Sequence, residues 1–406
     1  TTEIKVAQFS GYVSEHSCYH HGEASLNGAI VGMAQNFVGS NNVNVFRPNG
    51  QFGTRLQGGK DSASERYIFT QLQKITRKIY PQYDDNILEY LEDDGFPVEP
   101  IYYMPIVPMV LVNGSKGIGT GFSTEILPYN LPIIIDYIKK KLKSKSVDDI
   151  KFTPYYEGFR GTIENINESK YLVKGTYELL DDNNIKITEL PIGTWTDDYK
   201  QFLEGLLEPG DKGKKTSPII KDYRDMSKTT NVDITVQFAD SSKLYKLMST
   251  YGENGVNGLE KLLRLSTTVS TTNMHLFDSN EKLQKYSNVK EIIDDYYKVR
   301  LNGYVTRKAH IIKVLENDLV LLSNKVRYIK ENLDDTIDIR RKKKNVIIKM
   351  LEDKKYDNLG DDSEYKYLLK MTMDSVSEEN VAKLNGEYVN KKNELERINK
   401  ISFTIS

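Results

Sequence analysis

The 406-residue sequence holds a single cysteine, Cys18, a single tryptophan, Trp195, and five histidines. One cysteine excludes an internal disulfide and fits a reducing compartment. With so few histidines beside it, no ligand spacing of the zinc type can be drawn, and no metal site is expected in this chain. No run approaches the ~20 apolar residues that a membrane span needs, so no membrane partner is expected. The first residues also lack the charged, apolar and small-residue regions of a signal peptide. Charge of one sign is missing as well. The 56 Lys+Arg stand against 57 Asp+Glu, a formal net charge of -1, which does not announce a nucleic-acid binder.

What is present is length, tyrosine and unevenly placed charge. A chain of this size accommodates two to four domains with cores of their own. Its 38% hydrophobic and 28% charged content fits a soluble protein with much exposed helix. The 27 tyrosines, with abundant Asn and Lys, point to an AT-rich genome of the kind found in protists and large viruses. Residues 1–80 carry eight Lys+Arg (Lys5, Arg47, Arg55, Lys60, Arg66, Lys74, Arg77, Lys78) against five acids (Glu3, Glu15, Glu23, Asp61, Glu65). Residues 81–100 then carry seven acids and no base. Phosphate binding, if any, belongs to the first part.

Within that part lies Gln51-Phe-Gly-Thr-Arg55-Leu-Gln-Gly58-Gly59-Lys60-Asp61-Ser-Ala-Ser-Glu-Arg66-Tyr67, which no hydrophobic period explains. Its glycines admit backbone conformations closed to other residues and allow close approach of a partner. Arg55, Lys60 and Arg66 are the cations a polyanion would meet. Tyr67 is a phenol beside the fixed charge of Arg66. It is a possible nucleophile toward a phosphodiester, with the guanidinium stabilising the developing charge. Among so many tyrosines, core or surface filling is the competing reading. A phenol keeps its proton at neutral pH, so an attacking Tyr67 needs cations, a base or water, or a metal to activate it.

Around this stretch, residues 3–40 read as helical, with Val6, Phe9, Val13 and then Leu26, Ile30, Met33 and Phe37 at three- and four-residue steps. His20-His21-Gly22 forms a junction. Adjacent helical histidines point about 100° apart, so one at most faces a given phosphate, and packing or capping is the alternative for both. Residues 41–60 alternate turn residues with Val43, Val45 and Phe46, which predicts a short hairpin or wing. Residues 67–80 have helical spacing through Ile68, Leu72, Ile75 and Ile79. Residues 81–100 read as a surface excursion, and residues 102–112 as a buried extended run.

Asn113-Gly114-Ser-Lys116-Gly117-Ile118-Gly119-Thr-Gly121 is GxGxxG-like, but it lacks the strand–turn–helix context and the later acid of a dinucleotide fingerprint. An apolar Ile118 on a glycine loop suits a wedge between base pairs; a core plug is the alternative. Residues 130–142 predict an amphipathic helix ending in Lys139-Lys140-Lys141, with Lys143 and Lys145 beyond, either a solvated face or a contact to a DNA arm. Residues 155–238 alternate by two as strands do, separated by loops such as Pro209-Gly-Asp-Lys-Gly-Lys-Lys215. Trp195 reads as a packing anchor rather than a base-stacking platform. After Phe277 come long helical patterns. Two such arms around a compact piece at about 334–375 predict an antiparallel coiled coil with a globular, dimerising tip.

Lys5-Val-Ala-Gln, Tyr19-His20-His21-Gly22-Glu23, Ala34-Gln-Asn-Phe-Val-Gly-Ser-Asn-Asn42, Gln51-Phe-Gly-Thr-Arg55, Gly58-Gly-Lys-Asp61, Arg66-Tyr67-Ile68, Gly117-Ile-Gly-Thr-Gly121, Glu189-Leu-Pro-Ile-Gly-Thr-Trp-Thr196 and Ser270-Thr-Thr-Asn-Met-His-Leu-Phe-Asp278 occur in this order. Together they resemble the eukaryotic type IIA DNA topoisomerases. The resemblance implies an α+β multidomain chain. Residues 1–107 would be a winged-helix cleavage module lacking its upstream basic segment. Residues 108–265 would be a mixed α/β tower, and 266–406 a coiled coil with the C-terminal gate. It implies Tyr67 as the nucleophile that bonds to a 5′-phosphate, assisted by Arg66 and His21. It places Ile118 as the intercalating wedge and His20, Gln51, Arg55 and Lys60 at the DNA.

The implied partners are double-stranded DNA and a second copy of the chain, and the implied compartment is the nucleus, or a viral factory in the host cytoplasm if the source is viral. Mg2+ and ATP would serve the full-length enzyme through modules elsewhere, with none bound here. The rival readings are a non-enzymatic dimeric DNA-bending scaffold and a coiled-coil partner-binding protein.

Overall fold

The computed structural model describes residues 2–207, 218–360 and 362–401. The loop expected at Pro209-Gly-Asp-Lys-Gly-Lys-Lys215 lies outside the described residues. The chain divides into two compact units, Thr1–Arg300 and Leu301–Ser406.

In the first unit, two helices, Val6–His16 and Glu23–Ala34, form within the stretch 3–40 that reads as helical, but the second ends at Ala34, so Phe37 lies beyond it, and Met33 is exposed rather than on the buried face. The first stops at Ser17, whose backbone N–H returns to Val13 O, and Cys18 then takes a left-handed φ of 49°. The second starts after an extended Gly22 and carries Glu23 in its first turn, where a carboxylate complements the free amides and the helix dipole. Leu26, Ile30 and Ala34 lie one turn apart and pack with Val6, Phe52 and Ile68 into one small core. His20, His21 and Gly22 make the junction between the helices.

Residues 67–80 depart from expectation. Phe69–Thr70 is a strand that pairs antiparallel with Ile4–Lys5, and residues 46–49 bridge to it and to Leu72. Only Thr76–Ile79 is helical. Leu72 and Ile75, which the helical reading needed inside, are exposed. The backbone explains this: Arg47 N–H donates to Gln71 O, Gln73 N–H to Val45 O, and Thr76 Oγ1 to Val45 O. The short ladder here therefore pairs residues 45–49 with 69–73, and is not a hairpin inside 41–60.

The acidic excursion is a hairpin, Tyr90–Asp93 with Phe96–Pro100. It is closed by Asp94 and Gly95 at positive φ, the backbone that a tight two-residue turn demands. The run 102–112 is not extended and buried throughout. Tyr102, Tyr103 and Ile106 are exposed, and Met109–Val112 is a helical turn whose Leu111 and Val112 are inside. Helix Leu131–Leu142 packs Ile134 and Tyr137 into this second core, together with Val289, Ile292 and Ile293 of helix Val289–Leu333.

A four-stranded sheet follows, ordered Ile220–Asp225, Ile234–Phe238, Asn184–Glu189, Thr176–Leu179, all antiparallel. Strand Asn184–Glu189 alternates strictly, so Ile185, Ile187 and Glu189 are all buried. Helices Thr196–Leu207 and Ser241–Ser249 pack their apolar faces into the same core. A three-stranded sheet of Ser266–Ser270, Lys170–Lys174 and Thr162–Asn167 adjoins it in sequence.

In the second unit, residues 301–333 of the long helix run antiparallel to helix Glu378–Lys400. Lys391 Nζ lies 2.6 Å from Asp318, and Lys308 Nζ reaches the carbonyls of Asn399 and Ile401. Between the two arms Tyr328, Ile337, Leu351, Tyr356, Tyr365 and Leu368 form a separate core. Glu331 is the polar hub beside it, bonded to Arg327 (2.8 Å), Tyr356 (3.1 Å) and Lys354 (3.2 Å). Burial works to raise its carboxyl pKa, but these three donors outweigh burial and hold it below the ordinary value. A depressed carboxyl contributes stability above its unfolded pKa and loses it as pH falls through the folded one. Acid titration followed by circular dichroism should therefore show the second unit weakening below about pH 4.5, and Glu331→Gln should flatten that dependence.

Candidate active site

Residues 51–66 form a loop that is fastened on both sides. On one side Gln35, just past helix Glu23–Ala34, donates its Nε2 to Phe52 O at 2.9 Å and Gly59 O at 3.4 Å. On the other side lies the segment that follows strand Asn184–Glu189. Arg55 is only 5% exposed and its guanidinium is paired with the fully buried carboxylate of Glu189, the second contact measuring 3.3 Å. Glu189 is further satisfied by the N–H groups of Leu190 (2.9 Å) and Arg160 (3.3 Å). Asp197 N–H donates to Leu56 O at 3.0 Å, and Gln57 Nε2 to Asp197 at 3.0 Å. Lys200 and Gln57 hold the Asp197 carboxyl below its ordinary pKa, against the effect of partial burial.

Two glycines make the close approach possible. Gly58 has φ +63° and lies against the Trp195 indole so tightly that a Cβ there would collide with the ring. A Cβ on Gly53, at φ +98°, would meet the Gly59 backbone. Trp195 also supports Gly39 and meets Phe37 edge to face at 5.8 Å. It is the packing anchor expected, and the surface it supports is this loop. Asp61 closes the loop internally, accepting from Thr54 N–H (2.8 Å) and Thr54 Oγ1 (2.5 Å).

At the end of the fastened loop the chain turns outward. Tyr67 is 68% exposed, and the Arg66 guanidinium sits over its ring, 5.0 Å from the centroid. The turn is set by Tyr67 N–H donating to Ser64 O at 2.9 Å, and Ile68 re-enters the core immediately after. Phenol and cation are thus presented together to whatever approaches.

The remaining candidates separate. Lys60 is exposed. Gln51 is exposed too, its amide within 3.4 Å of Asp61. His21 is exposed with its ring edge-on to Tyr19 at 5.3 Å. His20 lies 3.4 Å from Asp93 of the acidic hairpin, an anchor that the sequence reading did not include. No hydrogen bond or ion pair joins either histidine to Tyr67 among the described residues. Arg55 differs most from expectation. Buried and paired, it is not among the cations that a polyanion on the surface would meet, and its charge is used inside the fold.

Ile118 stands at 93% exposure near the tip of the hairpin Ser115–Gly119 with Phe122–Ile126, facing Ser123 across the ladder. That geometry excludes the core plug. The hairpin is tied down through Glu125 N–H to Asn273 O (2.8 Å) and Asn273 Nδ2 to Ser123 (2.8 Å). In the lysine run, Lys140 is bonded to Asp149 at 2.8 Å and Lys141 is paired with Asp294, so these two serve the fold. No group of three His, Cys, Asp or Glu side chains among the described residues is arranged to hold a metal ion.

Glu189, Asp197 and Gln35 were not singled out as site residues. For Glu189 the signal was there: in Ile185-Lys-Ile-Thr-Glu189 a period of two places the carboxylate on the inner face, where an acid demands a buried cation.

A family model described as that of the DNA gyrase/topoisomerase IV A-subunit matches residues 1–404. The chain is 46% identical over 353 residues to a DNA topoisomerase 2 of Pisum sativum, covering 87% of this chain and 23% of that protein. To a DNA topoisomerase 2 of Plasmodium falciparum it is 43% identical over 365 residues, covering 90% and 25%. It therefore spans about a quarter of the length of these curated relatives. A crystal structure of the Plasmodium falciparum topoisomerase II DNA-binding, cleavage and re-ligation domain superposes with TM-score 0.90 at 40% identity, covering 99% of this chain and 56% of that one.

Gly58→Ala should cost at least about 1 kcal/mol, because alanine fits neither the left-handed backbone nor the space beside Trp195. Denaturant titration of the mutant against the parent measures it.

Proposed function

The chain belongs to the DNA gyrase/topoisomerase IV A-subunit family, and from that membership we propose that it is the DNA-gate and C-gate part of a type II topoisomerase. In this reading residues 1–107 form the cleavage module, 108–265 the tower that supports the DNA, and 266–406 the coiled coil through which two copies close a gate. The observation that carries it is the exposed Tyr67 with Arg66 over its ring, at the end of a loop whose every other side is fastened.

The chemistry is a transesterification. The Tyr67 oxygen attacks a backbone phosphorus and the bond to the 3′ oxygen breaks. As it attacks, the phenol gives up its proton to solvent or a base, the 3′ oxygen takes up a proton and leaves as a hydroxyl, and the 5′-phosphate remains on the tyrosine. Reversal reseals the strand without an outside energy source, because one phosphodiester has replaced another. Arg66 supplies positive charge where negative charge grows on the phosphoryl oxygens. His21, exposed at its helix junction, is proposed as a second phosphate contact, with His20, Gln51 and Lys60 at the duplex around it. Ile118 is proposed to enter between base pairs and bend the duplex. Two copies of Tyr67 would cut opposite strands, allowing a second duplex to pass.

Mg2+ and ATP are used by the family. The described residues offer no cluster suited to the metal, and the steps above use this chain's own groups.

In the full-length protein, Tyr67→Phe should abolish protein-linked DNA breaks formed with duplex DNA and Mg2+ while leaving DNA binding in place. A covalent complex that persists in the mutant overturns the assignment. Separately, Ile118→Ala should reduce DNA bending measured by fluorescence transfer between duplex ends, and unchanged bending removes the wedge.

A further inference from the structure

We infer that Glu189 is a positioning residue for the nucleophile, acting through Arg55 and with Trp195 as the second point of a clasp that sets where Tyr67 stands; this rests on the reading of Tyr67 as the nucleophile. The residues concerned lie far apart in sequence. Arg55 is twelve positions before Tyr67, whereas Glu189 ends a strand of the four-stranded sheet and Trp195 precedes the helix Thr196–Leu207.

Three features separate this contact from ordinary packing. First, it is a full charge pair with both members out of water: Arg55 is 5% and Glu189 0% exposed. Two ions are stable there only when nearly every donor and acceptor is met. Glu189 meets Arg55, the N–H of Leu190 and the N–H of Arg160. Such a pair fixes a geometry, since a shift of either element leaves a charge unpaired.

Second, the contact is doubled beside it by main-chain bonds, Asp197 N–H to Leu56 O and the weaker Thr196 N–H to Arg55 O at 3.4 Å, and by Gly58 seated on the indole. Third, the slack between clasp and nucleophile is taken up. Gln35 grips Gly59, Asp61 ties back to Thr54, Ala63 N–H donates to Gln51 O at 2.9 Å, and Tyr67 N–H to Ser64 O at 2.9 Å. A displacement at Arg55 has no flexible span in which to dissipate before Tyr67. Arg55 and Glu189 are both buried, and neither is the nucleophile or lies on the exposed side where Arg66 and Tyr67 meet a partner. The pair therefore affects the reaction by geometry alone.

Glu189→Gln keeps the shape but turns an amide toward the buried guanidinium. In the full-length protein with duplex DNA and Mg2+, single-turnover formation of the covalent complex should slow about a hundredfold, the cost of misplacing a reacting group by about 1 Å. DNA affinity at fixed salt should stay within about twofold, since the pair makes no phosphate contact. Trp195→Phe, which loosens the other half of the clasp without an unpaired charge, should show the same split more weakly and decides the matter if Glu189→Gln does not fold.

Tyr67→Phe runs alongside. If Tyr67→Phe still forms the covalent complex, the nucleophile assignment fails. If it forms none while Glu189→Gln cleaves at the parent rate, only the clasp fails. Cleavage and affinity falling in parallel would likewise overturn the positioning role, because a general loss of structure produces that result.

Discussion

A guanidinium and a carboxylate removed from water tolerate little relative movement, because the interior offers no solvent to replace a lost partner. The Arg55–Glu189 pair imposes that condition where a loop meets the end of an inner strand of a sheet. Beside it lie Gly58, the seat of the loop on Trp195, and the main-chain bonds from residues 196 and 197 back to 55 and 56. The loop ends in an exposed tyrosine, and on the proposed reading of Tyr67 as the nucleophile its rigidity has a chemical use. A nucleophile gains most from being held near its line of attack before the substrate arrives.

Exposure is distributed accordingly. Tyr67 is largely exposed and Ile118 almost bare, each at the end of a well-tied element. Isolated exposed hydrophobics are common on protein surfaces and need no explanation. Here one is stacked under a guanidinium, and the other tops a glycine-rich hairpin anchored through Asn273. A phenol presented with a cation suits a phosphate, and a bare isoleucine at a hairpin tip suits insertion into a stacked duplex. On the proposed function, cleavage and bending of the duplex are carried by different elements of the same unit.

Much of this was legible in the sequence, and the failures share a cause. Val6–His16, Glu23–Ala34 and Leu131–Leu142 followed from periodicity because a helix closes its own backbone hydrogen bonds and needs only an apolar face, wherever in the sequence its partners lie. Ile68, Leu72, Ile75 and Ile79 have the same spacing, yet the segment pairs with residues 4–5 and 45–49, and a periodic count cannot see a distant strand. Arg55 was assigned to a polyanion because charge in a glycine-rich stretch reads as exposed. Its true partner lies 134 residues away. Glu189 belongs to the motif Glu189-Leu-Pro-Ile-Gly-Thr-Trp-Thr196, and its place in an alternating strand puts it inside, where it meets that arginine. The contact of Arg66 with the Tyr67 ring needed only adjacency, and adjacency is what a sequence reports directly.

The central claim is that Tyr67, and no other of the 27 tyrosines, carries the DNA. Its most direct test is to trap the covalent complex of the full-length protein, digest it with nuclease and trypsin, and map the modified residue by mass spectrometry. The account predicts a nucleotide joined through its 5′-phosphate to the peptide running from Tyr67 to Lys74. A nucleotide on any other peptide, or one joined through its 3′-phosphate, would contradict it.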